Sequence, residues 1–223
     1  MRRRDFLSTT ALTLLAACDR TLSFAERANE KVERGLFRHR AIDVARGRFI
    51  TPEVAYPSYY IANTVPMWDA AKRGPWTLEI SGMVAKPLTL SLSQLASLPS
   101  VTQRVNHYCV EGWTAVASWT GVRLSALAAL VQPGATAQYV DFQSFDDGYH
   151  ESWDLPSAMH PQTLVAYGMD GHWLGAAHGG PARVFSPVKL GYKNTKYLTK
   201  IVFLPQRNGG YWSDQGYEWY GGV

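Results

Sequence analysis

The amino-acid sequence predicts an α+β domain that is rich in strands and contains short helices. Apolar and polar residues alternate in several short segments, which is typical of half-buried strands. Glycines and prolines separate these segments, and helical spacing of apolar residues extends over only two short stretches of the domain. The 223 residues, of which 46% are hydrophobic and 18% charged, suffice for one domain with a sizeable core.

Strands are predicted where apolar residues alternate or cluster. The predicted strands cover residues 76–82, 101–109, 138–145, 163–168, 182–186 and 196–204. In the first of them Trp76, Leu78 and Ile80 share one face. Cys109 lies at the end of the second strand, where a loop takes over. Asp147-Gly148 predicts a turn of the kind that joins two strands into a hairpin.

Two short helices are predicted between these strands. Leu92, Leu95 and Leu98 have helical spacing and follow serines that can cap a helix. Residues 124–131 form the second predicted helix, with Ser125 in its cap region, and a Pro-Gly pair just beyond ends it.

The first 18 residues predict an export signal. Charged residues precede the apolar residues 7–17, a stretch too short to span a bilayer as a stable helix. The sequence RRDFL at residues 3–7 resembles the twin-arginine signal, in which two arginines are followed one residue later by an apolar pair. We therefore expect a periplasmic protein that is exported folded.

The end of this signal predicts a lipid anchor. Residues 15–18, LAAC, resemble a lipobox, in which Cys18 would receive a lipid; the alternative is a plain secretory signal whose cysteine is accidental. The lipid would be the only membrane attachment, because no later apolar run reaches the roughly 18 residues of a transmembrane helix. The predicted division is a twin-arginine signal with lipobox at 1–18, a tether and N-terminal segment at 19–57, and the folded domain at 58–223.

The charge pattern argues against nucleic acid as a partner. The formal net charge is +4, but three arginines and one aspartate lie in residues 1–18, so 19 basic and 17 acidic residues remain. No block of like charge occurs elsewhere in the chain. Nucleic-acid binding proteins concentrate positive charge on one face or segment, and this sequence has no such concentration.

The cysteine count raises the question of function. Cys18 belongs to the signal, so Cys109 has no disulfide partner in the exported chain and is buried, reactive or bound to a metal. A cysteine nucleophile needs a nearby base, for which His107, His150 and His178 are candidates. A closed zinc site needs about four ligands, and only His107 and Cys109 lie close together in sequence. A metal site with one cysteine remains open if a non-protein ligand supplies the other donors.

Three collinear segments, at residues 74–95, 109–130 and 178–201, carry a family resemblance. Together they resemble the sulfite oxidase superfamily, in the bacterial single-domain branch that includes the periplasmic protein-methionine-sulfoxide reductases. CVEGWTAVASWTGVRLSALAAL, residues 109–130, resembles the molybdenum-binding segment of that family. Residues 74–95, GPWTLEISGMVAKPLTLSLSQL, resemble its upstream strand, turn and helix, and residues 178–201, HGGPARVFSPVKLGYKNTKYLTKI, its pterin-binding segment. The resemblance spans roughly residues 58–205.

This resemblance implies a sulfite-oxidase-type molybdopterin-binding domain with a Mo-molybdopterin cofactor. Cys109 would be the metal ligand and a catalytic residue, and one soft sulfur donor suits a metal whose other ligands come from the cofactor. His107 would be a second catalytic residue, a donor near the metal. The cofactor-binding residues that the resemblance implies are Asn63, Thr64, Ser144, His178, Arg183, Asn194, Thr195 and Lys196. A guanidinium and an ammonium group suit a buried phosphate, whereas the alternative is that Arg183 and Lys196 are surface charges.

The residues after the cysteine bear on the reaction. Sulfite oxidases have arginine just after their cysteine, whereas this chain has Glu111, which would repel sulfite and favours a neutral sulfoxide-like substrate. The reductases usually have a basic residue just before the cysteine, and Tyr108 stands there instead, so the substrate stays open. A separate redox partner, for which the reductases suggest a membrane haem protein, would supply electrons. The alternatives are sulfite-type oxidation at the same site, a non-catalytic cofactor-binding lipoprotein, and a thiol hydrolase.

Overall fold

The computed structural model describes residues 24–25, 28–36 and 58–223. The chain divides into two compact units, residues 1–38 and 39–223, and residues 28–36 of the first are helical. The predicted signal and lipobox lie outside the described residues, and the division at residues 57 and 58 stays a prediction. Within the described part of the chain, no helix has both the length and the apolar character needed to cross a membrane.

Ten strands and four short α-helices make up residues 58–223. The strands are β1 Thr77–Gly82, β2 Leu88–Ser91, β3 Val101–Tyr108, β4 Thr114–Arg123, β5 Tyr139–Ser144, β6 His150–Asp154, β7 Leu164–Met169, β8 His172–Trp173, β9 Arg183–Phe185 and β10 Leu198–Leu204. The α-helices are α1 Ala70–Arg73, α2 Leu92–Ser97, α3 Leu124–Val131 and α4 Leu155–Ala158. Single 3₁₀ turns cover Ala176–His178, Gly191–Lys193 and Ser213–Gln215. The predicted α+β class is confirmed.

The strands form two five-stranded sheets. The first has the order β2-β1-β10-β5-β6, in which only β1 and β10 run parallel. The second has the order β3-β4-β7-β8, with β9 also paired to β7. The larger hydrophobic core joins the first sheet to α3 and to one face of β7 and β9, whereas a smaller core packs around Trp119 and Phe185. The loops that follow β3 and β9 begin at strands of the second sheet.

Several local predictions agree with these elements. Leu78 and Ile80 are fully buried on one face of β1. A capping box begins α2, because Ser91 Oγ accepts from Gln94 N at 3.2 Å and Gln94 Oε1 accepts from Ser91 N at 2.8 Å. The prediction for Ser125 was wrong: α3 begins after Arg123 with no side-chain cap, because β4 leads directly into the helix.

The longest strand, β4, was not predicted. Its residues 115–117 are buried one after another, so the first part of the strand shows no alternation of buried and exposed side chains. It is a central strand that pairs with β3 and β7. Its side chains contribute to both hydrophobic cores, because Ala117 and Trp119 lie in the smaller core and Val122 lies in the larger one. The Asp147-Gly148 turn does join the β5–β6 hairpin, with Gly148 in the left-handed region at φ 84°.

Candidate active site

A cavity of about 310 Å³ collects residues from five separate segments of the chain. These are residues 59–61, the loop after β3, the loop after β5, the segment from β9 to β10, and the C-terminal segment. Of the ten residues predicted for the site, five line this cavity: His107, Cys109, Arg183, Asn194 and Lys196.

Cys109 lies in the turn that joins β3 to β4. The Cys109 carbonyl accepts from Gly112 N at 3.1 Å, and the Cys109 N–H donates to the Trp113 carbonyl at 3.0 Å. Gly112 has φ 86°, a left-handed conformation that closes a hairpin with a one-residue bulge and favours glycine. The short sequence CVEGW therefore holds its cysteine at the base of a tight turn. Burial is the main cause that raises the pKa of the Cys109 thiol, and the nearby Glu111 carboxylate adds to it.

His107 is buried at the end of β3 and lines the cavity. Its ring lies between Trp113 and Phe185, with centroid distances of 5.7 and 5.9 Å. Gly191 packs so closely that a Cβ there would lie 2.7 Å from His107 Nε2. Burial, followed by the positive charges of Arg183 and Lys196, holds the pKa of His107 well below its usual range. The imidazole is therefore neutral at neutral pH.

Arg183 is a buried cation, 1% exposed, in the wall of the cavity. Its guanidinium donates to the carbonyl oxygens of His178 and Asn194, both at 3.0 Å. The same group lies over the ring of Trp119, with 5.0 Å between Cζ and the ring centroid. The position of this charge is consequently fixed from three sides.

Lys196 is the second cation of the cavity. Its Nζ donates to the carbonyl oxygens of Tyr59 at 2.8 Å and Ala177 at 3.1 Å. Burial, together with repulsion from Arg183, lowers the pKa of Lys196 to about 7, although Asp146 opposes this shift. An anionic ligand beside Lys196 would favour its charged form.

Asn194 and Ser144 support the cavity wall through hydrogen bonds within the protein. Asn194 Oδ1 accepts from Ser186 N at 2.6 Å, and its amide nitrogen donates to two carbonyl oxygens of the same loop, so its side chain is engaged there. Ser144 does not line the cavity, but its Oγ accepts from Asp146 N at 2.9 Å. Asp146 does line it and accepts from Ile61 N at 3.1 Å.

The remaining predicted residues lie outside the cavity wall. Asn63 and Thr64 are exposed, although residues 59–61 just before them line the cavity. His178 is half-buried and contributes its carbonyl to Arg183. Thr195 is fully buried, and its carbonyl accepts from Val184 N at 3.0 Å. The predicted cofactor contacts of these four residues stay predictions.

Most aromatic residues of the cavity wall were not assigned from the sequence. Tyr59 and Trp113 stack at 6.3 Å on the side of the Cys109 turn. Tyr192, Trp212 and Tyr217 lie together elsewhere in the wall. The centroid of the Tyr217 ring is 5.4 Å from that of Tyr192 and 5.1 Å from that of Trp212. The aromatic-rich C-terminal sequence YWSDQGYEWYGG was a signal for this wall, but its packing partners are remote in sequence.

Buried ion pairs connect the C-terminal segment to the first sheet. Lys193 Nζ contacts Glu151 Oε2, and both side chains are fully buried. Glu151 also accepts from Trp212 N at 3.1 Å, so this carboxylate joins β6 to the segment that lines the cavity. Lys189 Nζ makes a second connection, to Asp154 Oδ1 at 3.3 Å and to the carbonyl of Tyr220 at 2.5 Å.

The residues present suit a molybdopterin with its metal. A thiol, two cations and a hydrogen-bonding wall face one cavity, and the phosphate of such a cofactor needs fixed donors of this kind. The buried hydroxyl of Tyr197, which also belongs to the wall, has no hydrogen-bond partner among the described residues. Within the same described ranges, no three His, Cys, Asp or Glu residues are grouped to hold a metal ion, so Cys109 is not part of such a group.

Most of the chain matches the sequence model of one protein family. Residues 62–212 match the sequence model described as the oxidoreductase molybdopterin-binding domain, which is well over half of the chain. The chain belongs to this molybdopterin-binding family. It is therefore a molybdopterin-dependent oxidoreductase, and membership implies the Mo-molybdopterin cofactor that the sequence predicted.

A relative and a solved structure agree with the family. A protein of Azospira oryzae, provisionally named protein-methionine-sulfoxide reductase subunit YedZ1, is 36% identical over 233 residues, covering 99% of this chain and 87% of the relative. The crystal structure of the sulfane dehydrogenase SoxCD from Paracoccus pantotrophus matches with a TM-score of 0.58 at 21% identity. That match covers 63% of this chain and 40% of the solved chain, so this chain spans less than half of that protein. The predicted sulfite-oxidase-type fold is confirmed.

Proposed function

We propose that this oxidoreductase reduces a sulfoxide-like substrate at a molybdenum ion held by Cys109, with electrons from a separate redox partner. One observation carries the proposal: the Cys109 thiol, two cations and the Glu111 carboxylate all belong to the wall of one cavity. The name of the Azospira oryzae relative supports a sulfoxide as the substrate.

Three residues are suited to hold the cofactor. Cys109 would supply one thiolate, while Arg183 and Lys196 would neutralise phosphate charge. When bound, the group supplies a metal that takes an oxygen atom and exchanges two electrons. Burial raises the pKa of the free Cys109 thiol, so the thiol keeps its proton until the metal binds. Metal binding displaces that proton, and the affinity for the metal therefore rises with pH.

The Glu111 carboxylate beside Cys109 selects against anionic substrates. Glu111 is exposed at the turn and accepts from Trp113 Nε1 at 3.3 Å, which fixes a carboxylate near the thiol. Sulfite carries negative charge and would be repelled, whereas a sulfoxide is neutral. The stacked rings of Tyr59 and Trp113 provide an apolar surface on which a sulfur-containing side chain can pack.

The cellular setting is part of the same proposal. The predicted twin-arginine signal favours the periplasm, and the predicted lipobox favours a lipid anchor on Cys18. An anchored enzyme would meet a membrane haem protein as its electron donor. The word subunit in the relative's name supports a partner protein, whose identity as a membrane haem protein is part of this proposal.

Metal analysis and substrate tests check the proposal. In a host that makes and inserts the cofactor, we expect about one molybdenum per chain, dye-linked reduction of methionine sulfoxide, and loss of both in Cys109→Ser. Cys18→Ser is the matched control: it should keep the molybdenum and the activity while the protein leaves the membrane fraction. Sulfite oxidation without sulfoxide reduction would favour the alternative reaction. Metal without any turnover would favour a cofactor-binding lipoprotein.

A further inference from the structure

We propose that the hydroxyl of Tyr197 donates a hydrogen bond to an acceptor atom of the bound molybdopterin. Tyr197 would then be a cofactor-binding residue beyond those that the sequence resemblance implies. The inference rests on the cofactor in the proposed function and is independent of which substrate is reduced or oxidised.

The hydroxyl of Tyr197 is buried and lacks a partner in the described part of the chain. The Tyr197 side chain is 1% exposed, and its hydroxyl is buried without a hydrogen-bond partner among the described residues. A hydroxyl in this state has lost its bonds to water without replacement, which destabilises the folded chain. Native proteins seldom keep such a group unless a molecule other than the chain supplies its partner.

The backbone and the ring of Tyr197 are both held in place. The Tyr197 N–H donates to the Gly179 carbonyl at 3.1 Å, and its own carbonyl accepts from Phe145 N at 2.9 Å. Its φ of 57° lies in the left-handed region, which a residue with a side chain seldom adopts. Such a conformation persists only where the surroundings impose it. The packing of the ring against Phe145, at 5.3 Å, restricts the side chain as well.

The location of Tyr197 also suits contact with the cofactor. Tyr197 belongs to the wall of the cavity that contains Cys109, directly after Lys196 in the chain. Asp146, Arg183 and Tyr60 are the charged and polar groups close enough to influence the hydroxyl, and all three line the same cavity. Burial raises the pKa of Tyr197, so the hydroxyl keeps its proton and acts as a donor. A phosphate and a pterin ring offer several acceptor atoms.

Tyr197→Phe tests the inference because it removes only the oxygen. The apo-protein should be as stable as the wild type or more stable, since the removed group has no partner in the chain. The holoenzyme should release its molybdopterin about tenfold faster, which equals about 1.4 kcal/mol. Both are measured without substrate: thermal unfolding of the apo-protein, and the bound molybdenum and pterin that remain with the holoenzyme over time.

Tyr149→Phe is the matched control. Tyr149 also lines the cavity, but its hydroxyl already donates to the Tyr192 carbonyl at 2.5 Å. Its removal should destabilise the apo-protein and the holoenzyme alike. Cofactor release from Tyr197→Phe at the wild-type rate, or an apo-protein as destabilised as Tyr149→Phe, would overturn the inference. A holoenzyme that keeps its cofactor but reduces no sulfoxide overturns only the proposed substrate, because the release rates still test Tyr197.

Discussion

The buried pair of Lys193 and Glu151 offers the sharpest test of how the cavity wall is held. We predict that Lys193→Met strongly destabilises the folded protein. Both side chains are fully buried, and the remaining donors to Glu151 are Trp212 N at 3.1 Å and Ser213 Oγ at 3.3 Å. Without the ammonium group, the carboxylate loses its positive counter-charge and the segment carrying Trp212 loses part of its anchor.

The expected size follows from burial. Removing one partner of a buried ion pair costs about 3–5 kcal/mol, because an uncompensated charge remains inside the protein. Because Trp212 N and Ser213 Oγ still donate to Glu151 in the variant, we expect the free energy of unfolding to fall by about 3 kcal/mol, the lower end of this range. For a chain of this size, each kcal/mol lowers Tm by about 2–4 °C, so the predicted decrease is about 6–12 °C.

Denaturant unfolding followed by tryptophan fluorescence measures this loss directly. The matched control is Lys200→Met, because Lys200 pairs with Glu79 at 3.2 Å while both side chains are roughly half exposed; its cost should stay below about 1 kcal/mol. The double variant Lys193→Met with Glu151→Gln removes the stranded charge and keeps an acceptor for Trp212, so it should recover much of the stability. If Lys193→Met costs no more than Lys200→Met, the reasoning is refuted.

Two further predictions concern the cavity. Since the pKa of Lys196 is about 7 in the folded apo-protein and about 10.4 unfolded, the unfolded state binds more protons between these values. Apo-protein stability should therefore rise with pH across that window more steeply than in Lys196→Met, and equal slopes in denaturant unfolding would contradict the prediction. Gly191→Ala would place a Cβ 2.7 Å from His107 Nε2, so we expect a loss of about 1–3 kcal/mol and less bound molybdenum. Gly175→Ala, whose Cβ would meet no atom within 4 Å, is its control, and equal unfolding free energies and metal contents in the two variants would show that the contact is harmless.

A helix or strand could be predicted from the sequence where only one of its faces is apolar. The alternation in β1 and the serine cap of α2 are local patterns, and both predicted the structure correctly. The strand β4 has consecutive buried residues and contributes to both hydrophobic cores, and no local pattern distinguishes such a strand from other apolar segments. The sequence therefore predicted the fold class without the longest strand.

The candidate site likewise contains residues that the sequence indicated and residues that it did not. The turn around Cys109 is encoded locally, since Gly112 supplies the left-handed conformation three residues after the cysteine. Arg183 and Lys196 were identified by a sequence resemblance, and both line the cavity. Lys193 and Glu151 had no comparable signal, because charged residues are normally exposed and only their mutual contact explains their burial.

The sequence by itself determined the family and the cofactor class, because three motifs in collinear order carry the resemblance. It also encodes the turn that presents Cys109, because that turn depends only on residues 109–113. Only the tertiary structure decided that Tyr59, Tyr197 and Trp212 belong to one cavity wall with that cysteine. Residues so far apart meet through the packing of the sheets and the buried ion pairs. Periodicity in a sequence reports which side of an element is buried, but it does not report which distant element covers it.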